Sequence, residues 1–240
     1  MITHPNPWDS ETFTAKLREV GARAYHDKHP FHLMMNEGRL DPDAVRGWVA
    51  NRFYYQRSIP LKDAAIISNC PRRDVRRIWL HRIMDHDGVE NEEGGIAAWL
   101  RLGEACGLSE EELLDGRHLV PAVQFAVDAY VNFARTQPWP VAIASSLTEL
   151  FAPNLMATRL AAFERNYTWV KPWGFDYFRR RVSQAQRDSG EALRLTLTYC
   201  ATSELQAASV LALVFKCDVL WSMLDAIQGK YASGIVTQLT

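Results

Sequence analysis

The amino-acid sequence predicts an all-α protein, a single domain built as a compact bundle of about seven helices. Three observations carry that expectation. Across 240 residues there is almost no period-two alternation of apolar and polar side chains, so strands have no pattern to rest on. Apolar residues recur instead at helical spacing, in segments bracketed by Asp, Ser, Gly and Pro where helices start and stop. No internal repeat or low-complexity linker divides the chain, so one domain over 1–240 is expected, with its core at about 13–231.

Asp9, Ser10 and Glu11 offer caps before a periodic run at 13–25. That helix is expected to end near His29 and Pro30, because the residue before proline avoids the α region. Asp41-Pro42-Asp43 reads as an N-cap with proline in the first turn. It opens a helix through 51–63, which Pro60 is expected to interrupt or kink. Cys70-Pro71 marks a turn, and 72–87 is helical again, with Ile78, Trp79, Ile83 and Met84 as its apolar side. Asp87-Gly88 and Gly94-Gly95 bound an acidic loop. A short helix at 96–106 stops at Gly107. Ser109 and Glu112 have capping-box spacing before Leu113 and Leu114. A strongly apolar helix fills 121–134, and Gln137-Pro138-Trp139-Pro140 breaks the chain. Helices at 141–151, 154–166, 175–186, 190–198 and 203–231 follow, punctuated by Pro153 and a tryptophan-rich turn at 169–174.

Hydrophobic residues make up 48% of the chain and charged ones 23%, which suits a soluble globular protein whose core needs no staples. A net charge of -1 gives no basic field for nucleic acid. Residues 1–8 lack the basic start and apolar run of a signal peptide, and no stretch reads as apolar and long enough to span a membrane. Cys70, Cys106, Cys200 and Cys217 lie far apart without CxxC spacing, as reduced, buried thiols of a cytoplasmic protein would, and not as a zinc site.

The chemistry gathers on helix faces. Arg52, Tyr55 and Gln56 stand at i, i+3 and i+4 and share a face. That face suits the wall of a pocket for an acidic, planar ligand, or else a salt-bridged flank. Tyr25 and His26 put a phenol and an imidazole side by side near a helix end. A histidine there can shuttle protons, ligate haem or metal, or simply finish the helix. Arg82 and His86 are at i and i+4, with Asp85 and Asp87 placed to tune His86. Tyr130 lies in an almost wholly apolar helix, where tyrosine is ordinarily core. Glu149 follows small residues, as a buried acid in need of a partner would. Arg159 lies ten residues on, roughly on the same face if the helix runs through Pro153, with Met156 between. Tyr177 and Arg181 repeat the i, i+4 pairing. Lys216 and Asp218 interrupt a helix that is apolar almost all round, where charge is costly unless paired or liganded. Such a set suits a small, aromatic, polycarboxylic substrate and proton transfer. There is no glycine-rich dinucleotide loop, Walker loop, H-E-x-x-H or nucleophile elbow.

These residues sit in segments that resemble one family. The segments are Trp48-Val49-Ala50-Asn51-Arg52-Phe53-Tyr54-Tyr55-Gln56, Ile59-Pro60-Leu61-Lys62-Asp63-Ala64-Ala65, Asp85-His86-Asp87-Gly88 and Ser145-Ser146-Leu147-Thr148-Glu149-Leu150-Phe151. With 125–130, Phe215-Lys216 and Leu220-Trp221, they are similar to the pyrroloquinoline quinone synthases over nearly the whole chain. The resemblance implies a haem-oxygenase-like fold, usually a homodimer, and the last step of pyrroloquinoline quinone biosynthesis. That step is ring closure and dioxygen-driven oxidation of a tricarboxylated amino-dioxo-hexahydroquinoline. Hydrogen peroxide is released, and no metal, haem or flavin is required. It further implies catalytic positions at His86, Tyr177, Arg181, His26, Lys216, Glu149 and Tyr130, and substrate-binding positions at Tyr25, Arg52, Tyr55, Gln56, Arg82, Arg159 and Asp218. Arg52, Arg159, Arg181 and Lys216 would hold carboxylates, and His86 would transfer protons. Tyr177 and Arg181 would orient dioxygen, with His26 and Lys216 in support. One departure stands out: many members carry a histidine where this chain has Met156, and methionine neither transfers protons nor donates a hydrogen bond.

Two other readings stay open on sequence alone. One is a different enzyme on the same fold: a hydrolase with a cysteine nucleophile, for which Cys217 beside Lys216 is the candidate, or a di-iron oxygenase. The other is a non-catalytic carrier of a quinone or haem.

Overall fold

Several helices open on a side chain that satisfies their first free N–H groups. The computed structural model describes residues 6–233; the expectations placed on 1–5 and 234–240 lie outside the described residues. Asp9 caps α1 (Ser10–Ala24), Asp41 caps α3 (Pro42–Asn69), and Thr202 caps α11 (Ser203–Tyr231). Ser109 and Glu112 complete the expected capping box on α6 (Glu110–Leu114). Between α1 and α3 the chain makes a 3-10 turn and then a short helix, α2 (Pro30–Asn36), which the sequence reading missed. There Pro30 occupies the first turn, where its missing N–H does no harm, and the His29 ring accepts from Phe31 N.

Helix α4 (Arg73–Asp87) ends at Gly88, whose φ of 90° turns the chain into a two-residue hairpin, β1 (Gly88–Val89) and β2 (Glu92–Glu93). Then come α5 (Gly95–Ala105), α6, α7 (Pro121–Thr136), α8 (Trp139–Ala144), α9 (Ala152–Asn166), α10 (Asp176–Tyr199) and α11. Seven helices, α1, α3, α4, α7, α9, α10 and α11, run 15 residues or more and form the expected bundle. Of the remainder, α5 falls where a short helix was expected, and α2, α6 and α8 are connectors of five to seven residues.

Three boundaries and one hydropathy reading differ from expectation. Pro60 neither stops nor divides α3, which packs on α4, α5, α7 and α11 and so is held from several sides. Gly190 does not split α10: the helix runs through it, and a glycine in a helix costs only about 1 kcal/mol. The expected helix at 141–151 is α8 followed by a 3-10 segment, Ser145–Leu150. Helix α11 contains a stretch long and apolar enough to cross a membrane, contrary to the sequence reading, and half of that window is buried within the bundle. It packs on α1, α3, α7 and α8, so its all-round hydrophobicity serves a central core helix.

Two apolar clusters fill the interior. The larger surrounds Trp48, Trp99, Phe163 and Phe178; the smaller, around Phe13, Trp79, Leu213 and Cys217, lies where α1, α4, α8 and α11 meet. Most of the polar side chains that were singled out lie buried in the same interior.

Candidate active site

Polar residues in this bundle are buried in numbers that demand partners. Helix α3 turns Arg52, Tyr55, Gln56 and Ile59 toward a cavity, as their helical spacing requires. Tyr25 and His26 enter from the turn after α1, His86 from the last turn of α4, and Glu149 from the 3-10 segment. Met156 comes from α9, and Tyr177 and Arg181 from α10. The cavity holds about 40 Å³, room for roughly three water molecules. Nine of the fourteen expected site residues line it.

The other five stand elsewhere. Asp218 is a correction: it is exposed and does not line the cavity, because two residues along α11 turn it away from Lys216. Arg82 lies behind the wall and grips Glu149 with two hydrogen bonds of 2.7 and 2.6 Å. Lys216 is buried with Nζ 3.6 Å from the ring centre of Tyr130 and 4.1 Å from that of Tyr55, and these two rings stack in parallel. Arg159 is buried with its guanidinium 4.9 Å from the ring of Trp48. The helix does not run from Glu149 to Arg159, since the 3-10 segment and Pro153 intervene.

Behind the cavity lies a lattice of buried ion pairs that the sequence reading did not find. Asp63 accepts from Lys62, at 2.5 Å, from Trp79 Nε1, at 2.8 Å, and from Arg82, at 3.4 Å. Asp188 takes Arg181 at 3.3 Å and stands 3.6 Å from Arg82. Lys62 reaches Ser146, at 3.1 Å, whose hydroxyl is 3.5 Å from that of Tyr130. A signal was available for part of it: Asp63 is seven residues beyond Gln56, on the face already read as polar. Asp188 stands seven residues beyond Arg181 on α10 and beside Arg187, while its contact with Arg82 crosses from α4.

The lattice sorts the cations. Burial alone would raise the Glu149 carboxyl, but Arg82 and Arg181 outweigh it and hold it at about 2, firmly ionised. Arg82 and Arg181 are thereby matched by Glu149, Asp63 and Asp188. Among the described residues Arg159 and Lys216 have no such match: Arg159 Nε and Nη2 and Lys216 Nζ lack any hydrogen-bond partner. Burial, reinforced by Arg52, lowers Arg159 to about 9 and drives Lys216 well below its ordinary value.

The histidines are neutral bases. His86 Nδ1 donates to the Arg82 carbonyl at 2.8 Å, because a carbonyl can only accept. That fixes the tautomer and leaves Nε2 a bare lone pair with no protein partner. Burial, then Arg181, lower His86 to about 4. His26 is likewise pushed well below the ordinary histidine range by burial, Arg52 and Arg159. His32, missed at the sequence level, packs on His26 with ring centres 4.8 Å apart and likewise has a bare Nε2.

The TENA/THI-4/PQQC family model matches residues 14–226. This chain belongs to that family. It is 55% identical over 221 residues to the pyrroloquinoline-quinone synthase of Cronobacter sakazakii, covering 92% of this chain and 88% of that one. It is 54% identical over 223 residues to the pyrroloquinoline-quinone synthase of Pseudomonas aeruginosa, covering 93% and 89%. Solved structures show the fold alone. A TenA homolog from Pseudomonas syringae superposes with a TM-score of 0.73 at 15% identity, covering 95% of this chain and 99% of that one. A domain with a heme oxygenase-like fold from Shewanella denitrificans gives 0.73 at 12% identity, covering 92% and 90%. The expected haem-oxygenase-like bundle is therefore the fold of this TENA/THI-4/PQQC protein.

The alternatives on this fold find less support in the site. No cysteine lines the cavity, and Cys217 is buried in the smaller core, its thiol pushed up to about 11 by burial. Among the described residues no three His, Cys, Asp or Glu side chains converge as metal ligands, as a di-iron centre would need.

Proposed function

We propose that this chain is a cofactor-independent oxidase completing pyrroloquinoline quinone biosynthesis. It would close the ring of the tricarboxylated amino-dioxo-hexahydroquinoline precursor and oxidise it with dioxygen, releasing hydrogen peroxide. One observation carries the reading. Three basic side chains without an acidic partner among the described residues, Arg52, Arg159 and Lys216, all bear on the buried, neutral His26, and Arg52 shares the cavity wall with His86, whose Nε2 lone pair is bare. A precursor with three carboxylates supplies the missing counter-charges by charge-assisted hydrogen bonds. Lys216, pushed toward its neutral form by burial and by Arg52, would be drawn back to its charged form by a substrate carboxylate. The synthase relatives, at 54% and 55% identity over nine-tenths of the chain, point the same way.

The residues divide the work by charge. His86 accepts protons through Nε2 as the precursor is oxidised. Glu149, ionised and clamped, is a fixed charge and not an acid. Tyr177, its ring edge-on to Trp99 at 4.6 Å, offers its phenol to reduced oxygen, beside the Arg181 guanidinium. A fused bicyclic acid is larger than the present cavity, so binding widens it. Cytoplasmic residence and a homodimer belong to the same proposal; the four cysteines are unpaired and buried, as a reducing compartment allows, and sedimentation would give the mass.

The test is to mix metal-free protein with the precursor in air and follow the absorption spectrum, oxygen uptake and peroxide. Conversion to the quinone spectrum with turnover is expected. A bound precursor that consumes no oxygen would make the protein a carrier.

Two substitutions probe the assignments. Arg159→Gln removes an unmatched buried cation, so the melting temperature should hold or rise while precursor affinity falls by roughly tenfold to a hundredfold, the range for a lost charged hydrogen bond. Calorimetry and an anaerobic titration read both; unchanged affinity would remove Arg159 from the carboxylate set. Met156→His restores a proton-carrying group to the cavity wall and should speed an oxidation step seen by stopped flow. Identical rates at every step would show that His86 and Tyr177 suffice.

A further inference from the structure

Tyr177 and Arg181 each border two cavities. One is the active-site cavity. The other, of about 120 Å³, lies between α4, the hairpin, α5 and α10, and reaches the surface beside the exposed His81, Glu92 and Arg180. We propose that this second cavity is the passage by which dioxygen reaches the active site and hydrogen peroxide leaves it, with Tyr177 and Arg181 as the wall the two cavities share. The proposal rests on the oxidase reading above.

The strongest observation concerns Gly95. A Cβ there would stand 3.5 Å from the Asp85 carbonyl and 3.7 Å from Tyr177 Cε2, both ordinary contacts, and the backbone has no positive φ. Neither crowding nor strain therefore demands a glycine. At neighbouring Gly94 a Cβ would strike the His86 carbonyl at 2.3 Å, so there the backbone itself requires one. What the bare Gly95 does is keep open the space in front of the Tyr177 ring.

Size selects the traveller. The rim is pinned: Arg187 holds Asp85, Arg101 holds the Glu93 carboxylate, and Arg180 donates to the Glu93 carbonyl at 3.1 Å. A mouth so tied does not widen for a fused ring system. A diatomic gas passes on size. Hydrogen peroxide, both donor and acceptor, matches walls that include Gln184 and Arg180. No bond is made or broken in the passage: dioxygen takes its two electrons and two protons per peroxide at the precursor, in the inner cavity.

Gly95→Leu fills the space in front of Tyr177, and Gln184→Trp blocks the outer half. Each is measured with saturating precursor and varied oxygen, beside an anaerobic precursor titration. The expected result is a fall in kcat/KM for dioxygen of roughly tenfold in both variants, with precursor affinity within about twofold of the parent. A folded variant with parental oxygen dependence overturns the proposal; so does a loss of precursor affinity that accounts for the whole rate change. If Gly95→Leu fails to fold by circular dichroism, Gln184→Trp decides alone. Absence of oxygen uptake by the parent protein, read before either variant, would sink the oxidase reading itself.

Discussion

Arg82→Met is expected to lower the melting temperature more than any other single change near the site. Arg82 is buried and serves three carboxylates at once: Glu149 through two short hydrogen bonds, Asp63 at 3.4 Å and Asp188 at 3.6 Å. Removing it leaves those charges in the interior with Lys62 and Arg181 as the remaining buried cations. Breaking a buried pair from one side costs roughly 3–5 kcal/mol, and in a chain of this size that corresponds to about 10 °C. Glu149 would lose the partner that holds it ionised, so its carboxyl should rise and turnover should fall with stability. Thermal melts by circular dichroism give the first number and oxygen uptake the second. A shift of only a degree or two would mean that the lattice is incidental to the fold.

His86→Asn should leave precursor binding nearly intact and lower kcat by roughly a hundredfold to ten-thousandfold, the usual worth of a positioned general base. The pH dependence separates this from mere damage. With His86 at about 4 in the folded protein, kcat/KM should stay level from neutrality to well below the ordinary histidine value of 6.5, then fall as the ring protonates. Stability follows with the opposite partner in charge of the proton. Between 6.5 and about 4 the unfolded chain binds a proton at this position and the folded chain does not, so stability declines as pH falls through that window. His26 and His32, both depressed by burial, steepen the decline. Acid titration of the H86N variant should show a shallower slope there. An acid limb near 6.5 in the parent's rate profile would contradict the buried, neutral His86.

Much of this was legible in the sequence, and what was not has a common cause. Asp9, Asp41 and Ser109 cap their helices through neighbours three residues on, and local chemistry of that kind is readable. The face holding Arg52, Tyr55 and Gln56 was readable from spacing, and the cavity uses it as read. The interruption allowed for at Pro60 and the break expected at Gly190 are absent because tertiary packing overrides a local preference of roughly 1 kcal/mol for glycine and about 3 kcal/mol for proline. Asp218 was misjudged because Lys216, two residues earlier, points inward, and one helical turn does not serve both directions. The lattice joining Asp63 and Asp188 was not legible as a whole because Arg82, which reaches both acids, comes from a different helix from either.

The narrowness of the resting cavity, about 40 Å³, has a consequence for how any affinity is measured. A ligand larger than that binds only the fraction of molecules that are open, so its apparent dissociation constant is the intrinsic one divided by that fraction. Changes remote from every contact, if they loosen the bundle, would then make the protein bind more tightly while making it less stable. Affinity and stability should trade against each other across a mutant series even where no carboxylate contact is altered, and a tight binder on this scaffold need not be a better-fitting one.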